Sequence, residues 1–144
     1  MMKPILFYDD EYYLLSNFSA HQVEFEGRLY PTVEHAYQAQ RFNDEVIKEK
    51  VRLAKSPVLA KAVAYQFKDQ WRPDWHEIKV EVMTEIVAAK LAQHDDVNQG
   101  LIKTGKAEIR ENSPVDYIWG IGKDGRGQNL MGKIWMKLRE KVLE

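Results

Sequence analysis

The 144-residue chain contains no cysteine. Disulfides, thiolate nucleophiles and cysteine-held zinc are therefore excluded. The chain also lacks a charge excess of either sign, since 21 Lys and Arg stand against 22 Asp and Glu, a formal net charge of −1. A protein that grips nucleic acid along many phosphates carries a marked basic surplus. Extended duplex binding is thus disfavoured, while a local basic pocket for one phosphorylated ligand stays open. No apolar run approaches the roughly 20 residues of a membrane-crossing helix. The opening Met-Met-Lys-Pro-Ile-Leu-Phe-Tyr-Asp-Asp turns acidic too early for a secretory signal. The expectation is a cytoplasmic protein with no membrane partner. Its four histidines, His21, His35, His76 and His94, show no His-Glu-x-x-His or comparable spacing, so no metal is expected.

What is present is ample for a core. The chain is 44% hydrophobic and 30% charged, an ordinary balance for a globular protein. Its length favours one domain over residues 1–144.

The first 30 residues look extended. Pro4 to Tyr8 is a short apolar and aromatic run, and Gln22 to Tyr30 alternates Val23, Phe25 and Leu29 with polar neighbours. Glu26-Gly27 stands where a tight hairpin turn belongs, and the whole reads as a small antiparallel ribbon. From Pro31 the pattern becomes helical. Thr32 can cap a helix to about Phe42, with Val33, Ala36 and Tyr37 on a narrow apolar stripe and Glu34, Gln38 and Arg41 on a polar face. Asp44 caps a second helix through Lys55, and Ser56-Pro57 starts a third to about Tyr65. A long helix capped by Asp74 follows the loop Trp71 to Trp75, with Ile78, Val82 and Ile86 on one side and Met83, Val87 and Leu91 on the next. Asp95 or Asp96 opens a helix ending near Gly105, a natural left-handed terminator. Ala107 to Glu111 reads as a strand, Trp119 to Gly127 as a glycine-rich loop, and Asn129 caps a last helix through Val142. The expected fold class is α+β: a single compact, predominantly helical domain with a small N-terminal antiparallel β element.

Three segments carry polar and aromatic residues that a plain core does not require. The first joins Leu15-Ser16-Asn17-Phe18 to Thr32-Val33-Glu34-His35-Ala36-Tyr37-Gln38-Ala39-Gln40-Arg41-Phe42. The second is Arg72-Pro73-Asp74-Trp75, with Lys79 one turn on. The third runs from Asp116 through Trp119-Gly120-Ile121-Gly122-Lys123-Asp124-Gly125-Arg126-Gly127-Gln128-Asn129. In series, S-N-F, T-x-E-H-x-Y-Q-A-x-x-F and W-G-x-G-x-D-G-x-G-x-N resemble the NADAR, or YbiA-like, family over nearly the whole chain. The resemblance implies an N-glycosidase, a hydrolase of the bond between a ribose carbon and a nitrogen. Within the family some members act on phosphoribosylamino-pyrimidine intermediates of riboflavin synthesis, and others remove ADP-ribose from modified guanine. Near residues 129–132, Asn-Leu-Met-Gly replaces the family's commoner Asn-x-Leu-Gly, an apolar exchange that concerns packing.

Breaking a ribose–nitrogen bond passes through an oxocarbenium-like transition state, which a carboxylate can stabilise or assist as base. The resemblance places the functional glutamate at Glu34, where the helix N-terminus favours the ionised form. The bland alternative is a solvent-facing glutamate of the first turn. Asp116 matches the aspartate three residues ahead of the family's Trp-Gly and is the second catalytic candidate; its alternative is a turn aspartate bonded to its own backbone. Asp124 carries the same alternative more strongly. Gly120, Gly122 and Gly125 could let the backbone approach a ligand, with Asn129 opening a helix whose N-terminus could receive a phosphate; the alternative is a structural loop. Trp75 and Trp119 could stack on a nucleobase or pack in the core. Arg72 and Lys79 could bind phosphate or sit as solvated charges. His35 could position Glu34 or meet a ribose hydroxyl, and Asn17, Phe18 and Gln38 complete the implied ligand contacts. The expected substrate is a small phosphorylated ribosyl compound, attacked by water with no redox cofactor. A non-catalytic binder of ADP-ribose or another nucleotide is the rival, and it would have no need of Glu34.

Overall fold

The computed structural model describes residues 2–8 and 12–143. The chain divides into two units, one built from Met1–Ser19 and His94–Glu144, the other from Ala20–Gln93.

The Ala20–Gln93 unit begins with the expected hairpin. Strands β1 (Ile5–Phe7, in the other unit), β2 (Val23–Phe25) and β3 (Arg28–Tyr30) are the first three strands of the chain. β2 pairs antiparallel with β3, placing Val23 opposite Tyr30 and Glu24 opposite Leu29. The connection is the two-residue turn Glu26-Gly27 with both φ positive, 49° and 82°, which suits the twist of paired strands. The alternation holds in part only. Val23 and Tyr30 are buried, whereas Leu29 faces outward beside Glu24, because a two-residue turn sets the register and the register sends Leu29 to the open face. Gln93 closes the outer edge of β2, its amide accepting from Glu24 N at 2.8 Å and donating to Glu24 O at 2.9 Å.

Four helices complete this unit: α1 (Val33–Ala39), α2 (Glu45–Arg52), α3 (Pro57–Gln66) and α4 (Trp75–Gln93). Three of the anticipated starts hold. Thr32 Oγ1 accepts from His35 N, Asp44 Oδ1 from Val46 N and Ile47 N, and Ser56 Oγ from Leu59 N, with Pro57 in the first turn. The ends are shorter than expected. α1 stops at Ala39 rather than Phe42 and α2 at Arg52 rather than Lys55, because the last turns tighten into three-residue bonds such as Arg41 N to Gln38 O and Ala54 N to Val51 O. Asp74 opens α4 through its carbonyl, which accepts from Glu77 N and Ile78 N. Its side chain is not the cap, since Arg72 takes both carboxylate oxygens. Met83, Ile86, Val87 and Leu91 form the buried face of α4, and Ile78 and Val82 lie at its half-buried margin.

The burial of α1 is the feature that patterning alone misjudged. Every residue from Thr32 to Phe42 is buried, including the polar Glu34, His35, Gln38, Gln40 and Arg41. The helix packs against α2, α3, α4 and both hairpin strands, so it has no solvent face, and its polar side is satisfied by hydrogen bonds within the protein.

In the other unit β1 pairs in parallel with β4 (Ile109–Glu111), Ile5 opposite Ile109. The Pro4–Tyr8 run is therefore not part of the hairpin ribbon. Nothing in the local sequence names a partner a hundred residues away, and β4 supplies it. α5 (Asp95–Lys103) ends before Gly105, which takes a φ of 61°, the left-handed stop expected of glycine. α6 (Leu130–Val142) lies on β4. The approach is close enough that a β-carbon on Gly132 would stand 2.0 Å from the Ile109 carbonyl oxygen. Trp135 is fully buried and donates from Nε1 to Leu15 O at 3.0 Å. Arg139 is buried too, donating to Thr104 Oγ1 and Ala107 O, and its burial disfavours the charged form. No helix among the described residues is long and apolar enough to cross a membrane.

Candidate active site

Glu34 and Gln38 of α1 and Arg41 just beyond its end form one connected chain. Gln38 Nε2 donates to Glu34 Oε2 at 3.1 Å, and Gln38 Oε1 accepts from Arg41 Nε at 2.7 Å. The spacings are i to i+4 and i to i+3, so all three side chains lie along one side of the helix. Glu34 is buried, 8% exposed, which sets aside the solvent-facing capping glutamate.

Around Arg41 the unit gathers aromatic rings. The guanidinium carbon lies 4.1 Å from the centre of Trp71, 5.2 Å from Tyr65 and Trp75, and 5.6 Å from Tyr37. A guanidinium facing aromatic rings gains about 0.5–2 kcal/mol per favourable contact when water is excluded. Trp71 is held in turn by its Nε1, which donates to Ala64 O. The carbonyl of Arg41 accepts from Arg72 N at 2.7 Å, fastening the end of α1 to the loop before α4.

Sequence reasoning placed Arg41 on the polar face of α1 but gave it no role. The cage draws on Tyr37, Tyr65, Trp71 and Trp75, four positions from three separate segments. Only the repeated Trp71-Arg72-Pro73-Asp74-Trp75 aromatic pair hinted at it.

His35 has a different job from the one anticipated. Its Nδ1 meets Thr32 Oγ1 at 2.8 Å and its Nε2 meets Ala54 O at 2.9 Å. A carbonyl can only accept, so Nε2 carries the proton and Nδ1 accepts from the threonine hydroxyl. Both ring nitrogens are committed, so neither reaches Glu34 or a ribose. Burial lowers the pKa of His35, and the bond to Ala54 O opposes that shift. The ring stays neutral and locks the start of α1.

Trp75 is 1% exposed and tilts against Tyr37 at 5.1 Å. Core packing is the role its surroundings serve, and no open ring face remains to stack on a base. Arg72 is paired through Nε and Nη2 with Asp74; the pair raises the arginine pKa and lowers that of the aspartate. Lys79 is half-buried on the next turn of α4.

The unit that carries the glycine loop holds the remaining residues. Asp116 Oδ1 accepts from Ile118 N at 2.9 Å and from Trp119 N at 2.8 Å, the geometry of a turn aspartate. Asp124 does the same for Arg126 N at 3.2 Å. The glycines serve packing. A β-carbon at Gly122 would fall 2.3 Å from the Tyr117 ring, and one at Gly120 would press on the Asp116 and Glu111 carbonyls at 3.0 Å. Gly125 has open space, but its φ of 76° keeps it glycine.

Asn129 stands at the N-cap position of α6, its carbonyl accepting from Lys133 N, but its side chain is a structural bridge and makes no capping bond. Its side chain accepts from Glu111 N and donates to Ile109 O, tying α6 to β4. The first amides of α6 are also spoken for: Leu130 N donates to Ile118 O and Met131 N to Trp119 O. A phosphate therefore has no vacant seat at those two amides. Asn17 Nδ2 donates to Met131 Sδ at 3.4 Å, while Phe18 is exposed and Trp119 half-buried.

This unit thus holds a buried glutamate, bonded to Gln38, on a short enclosed helix. Comparison with known proteins supplies the class. The NADAR domain model matches residues 6–143, and the chain belongs to the NADAR family. By class it is a hydrolase of N-glycosyl bonds. It is 36% identical over 133 residues to the N-glycosidase YbiA of Escherichia coli, covering 92% of this chain and 83% of that one. An N-glycosidase of Nostoc punctiforme is 38% identical over 134 residues, 91% of this chain and 86% of its own. A riboflavin biosynthesis protein of Vibrio vulnificus is 38% identical across 146 residues; this chain spans 40% of its length. The solved structure of E. coli YbiA superposes with a TM-score of 0.88 at 34% identity, covering 99% of this chain and 88% of that one.

Proposed function

We propose that this chain hydrolyses the ribose–nitrogen bond of a phosphoribosylamino-pyrimidine of the riboflavin-intermediate type, with Glu34 as the essential carboxylate. The observation that carries the reading is the buried Glu34 carboxylate, held by Gln38 on an enclosed helix. A stability role alone would favour an apolar residue there, because a buried carboxylate must be compensated to be tolerated. The name of the Vibrio relative, a riboflavin biosynthesis protein, supports the substrate class, and that of the E. coli relative, an N-glycosidase, supports the bond that is cleaved.

In the reaction the C1′–N bond breaks, water adds its oxygen to C1′, and the two protons of water end on the new hydroxyl and the departing amine. Glu34 stabilises the positive charge at the sugar carbon or takes the proton of the attacking water. No oxidation state changes, so the step needs no redox cofactor. The near-neutral charge of the chain suits a small metabolite more than a nucleic acid, and a cysteine-free chain asks nothing of an oxidising compartment, in keeping with the cytoplasm. Residues 1–144 act as one NADAR domain, the family match running through both units.

The test is release of ribose 5-phosphate from a phosphoribosylamino-pyrimidine by the parent and by Glu34→Gln. A folded variant that has lost catalytic release supports the reading. Release that is unaffected removes Glu34 from the mechanism and leaves Asp116 as the next carboxylate to substitute. A parent that releases nothing sinks the metabolite assignment, and ADP-ribosylated guanine becomes the substrate to try.

A further inference from the structure

The geometry points to Gln38 and Arg41 as positioning residues for Glu34, acting as one chain in which Arg41 orients the Gln38 amide and the amide holds the carboxylate. The inference rests on Glu34 being the catalytic carboxylate.

A glutamine amide has two chemically opposite ends, and a carboxylate tolerates only one of them. Arg41 decides which end Glu34 meets. Its Nε–H can only donate, so it demands the amide oxygen, and the NH2 is left for Glu34 Oε2. The flipped amide would set oxygen against carboxylate and NH2 against guanidinium, losing both bonds at once. Because the 2.7 Å bond to Arg41 involves a charged donor, it polarises the amide and strengthens the bond beyond it.

Arg41 is itself immobilised. Rings from α1, α3, α4 and the loop between them surround its guanidinium, and its backbone carbonyl is tied to Arg72 N. The ion pairs of this unit engage Arg28, Lys48, Arg52 and Arg72. The charge of Arg41 is met instead by ring faces and by the Gln38 amide oxygen. An arginine 7% exposed, caged and spending its Nε on one amide, fixes that amide more firmly than a surface residue could. A carboxylate in a glycosidase must present its lone pairs at a set angle, and misplacement by about 1 Å costs on the order of 100-fold in rate.

The experiment measures kcat and KM for ribose 5-phosphate release by Gln38→Met, Arg41→Met and the double variant, beside the parent and Glu34→Gln. Methionine keeps the length of Gln38 and removes both hydrogen bonds. The expected result is a kcat lowered roughly 10–100-fold in each single variant with KM within about threefold. The double variant falls no further than the worse single one, because both act through the same amide. Should the methionine variants fail to fold, Gln38→Glu preserves the acceptor for Arg41 and replaces the donor to Glu34 by a second carboxyl; kcat is expected to fall and its pH profile to shift, because the two carboxyls then compete for one proton. The proposal is overturned if Gln38→Met or Gln38→Glu raises KM with kcat unchanged, which would make Gln38 a substrate contact, or if the two methionine losses multiply. Failure of the underlying reading looks different: Glu34→Gln then retains the parental rate. An inactive Glu34→Gln beside a fully active Gln38 variant defeats this inference alone.

Discussion

Replacing Gly132 by alanine adds one methyl group where α6 lies on β4, and the cost can be worked from the neighbours. The new carbon would stand 2.0 Å from Ile109 O and 2.4 and 2.6 Å from the Asn129 amide atoms. None of these three obstacles can yield cheaply. Ile109 O is strand backbone, and the Asn129 amide is committed to Glu111 N and Ile109 O. Overpacking of this kind costs about 1–3 kcal/mol, and losing the two Asn129 bonds adds roughly 2 kcal/mol. Against this, alanine gains about 1 kcal/mol over glycine in a helix interior. The net expectation is a loss of about 2–4 kcal/mol. At roughly 3 °C per kcal/mol for a chain of this size, Tm falls by about 6–12 °C. Urea unfolding followed by tryptophan fluorescence, with thermal denaturation by circular dichroism, measures both. A Gly132→Ala protein as stable as the parent, or more so, refutes the reasoning, because helix propensity would then outweigh the contact.

Two further outcomes concern His35 and Asp116. Burial lowers the pKa of His35 in the folded state, so the unfolded chain binds its proton more readily. The His35 contribution to stability is then complete above the unfolded value of about 6.5 and is lost as pH falls through that value toward the lower folded one. Urea midpoints between pH 7.5 and 5 should fall for the parent and fall less for His35→Gln; equal slopes would contradict a neutral buried ring. For Asp116, the turn geometry predicts that Asp116→Asn, which keeps an oxygen for the Ile118 and Trp119 amides, changes stability by under about 0.5 kcal/mol, whereas Asp116→Ala costs about 1–2 kcal/mol. Kinetics of the asparagine variant separate the two roles. Unchanged release leaves Asp116 a turn residue, and abolished release at full stability makes it catalytic.

Local chemistry was legible where one residue suffices to dictate it. Thr32, Asp44 and Ser56 start helices because their side-chain oxygens reach amides two or three residues on. Glu26-Gly27 turns the hairpin because both positions can take positive φ, and Gly105 stops α5 for the same reason. The three motifs, read together, also carried the family. Those are matters of nearest neighbours and of residue order, which the sequence by itself determines.

Tertiary structure decided the rest, because the deciding partner lay far along the chain. β1 was read into the ribbon, yet its partner is β4. Asn129 and Asp74 look like caps, but their side chains are drawn to Ile109 with Glu111, and to Arg72. The resemblance picked out Glu34, but its solvated first-turn alternative falls only when α2, α3, α4 and the hairpin enclose the helix. Only that enclosure turns three polar residues at helical spacing into a buried carboxylate, amide and guanidinium, for hydrogen bonds that are weak in water become directing once water is excluded.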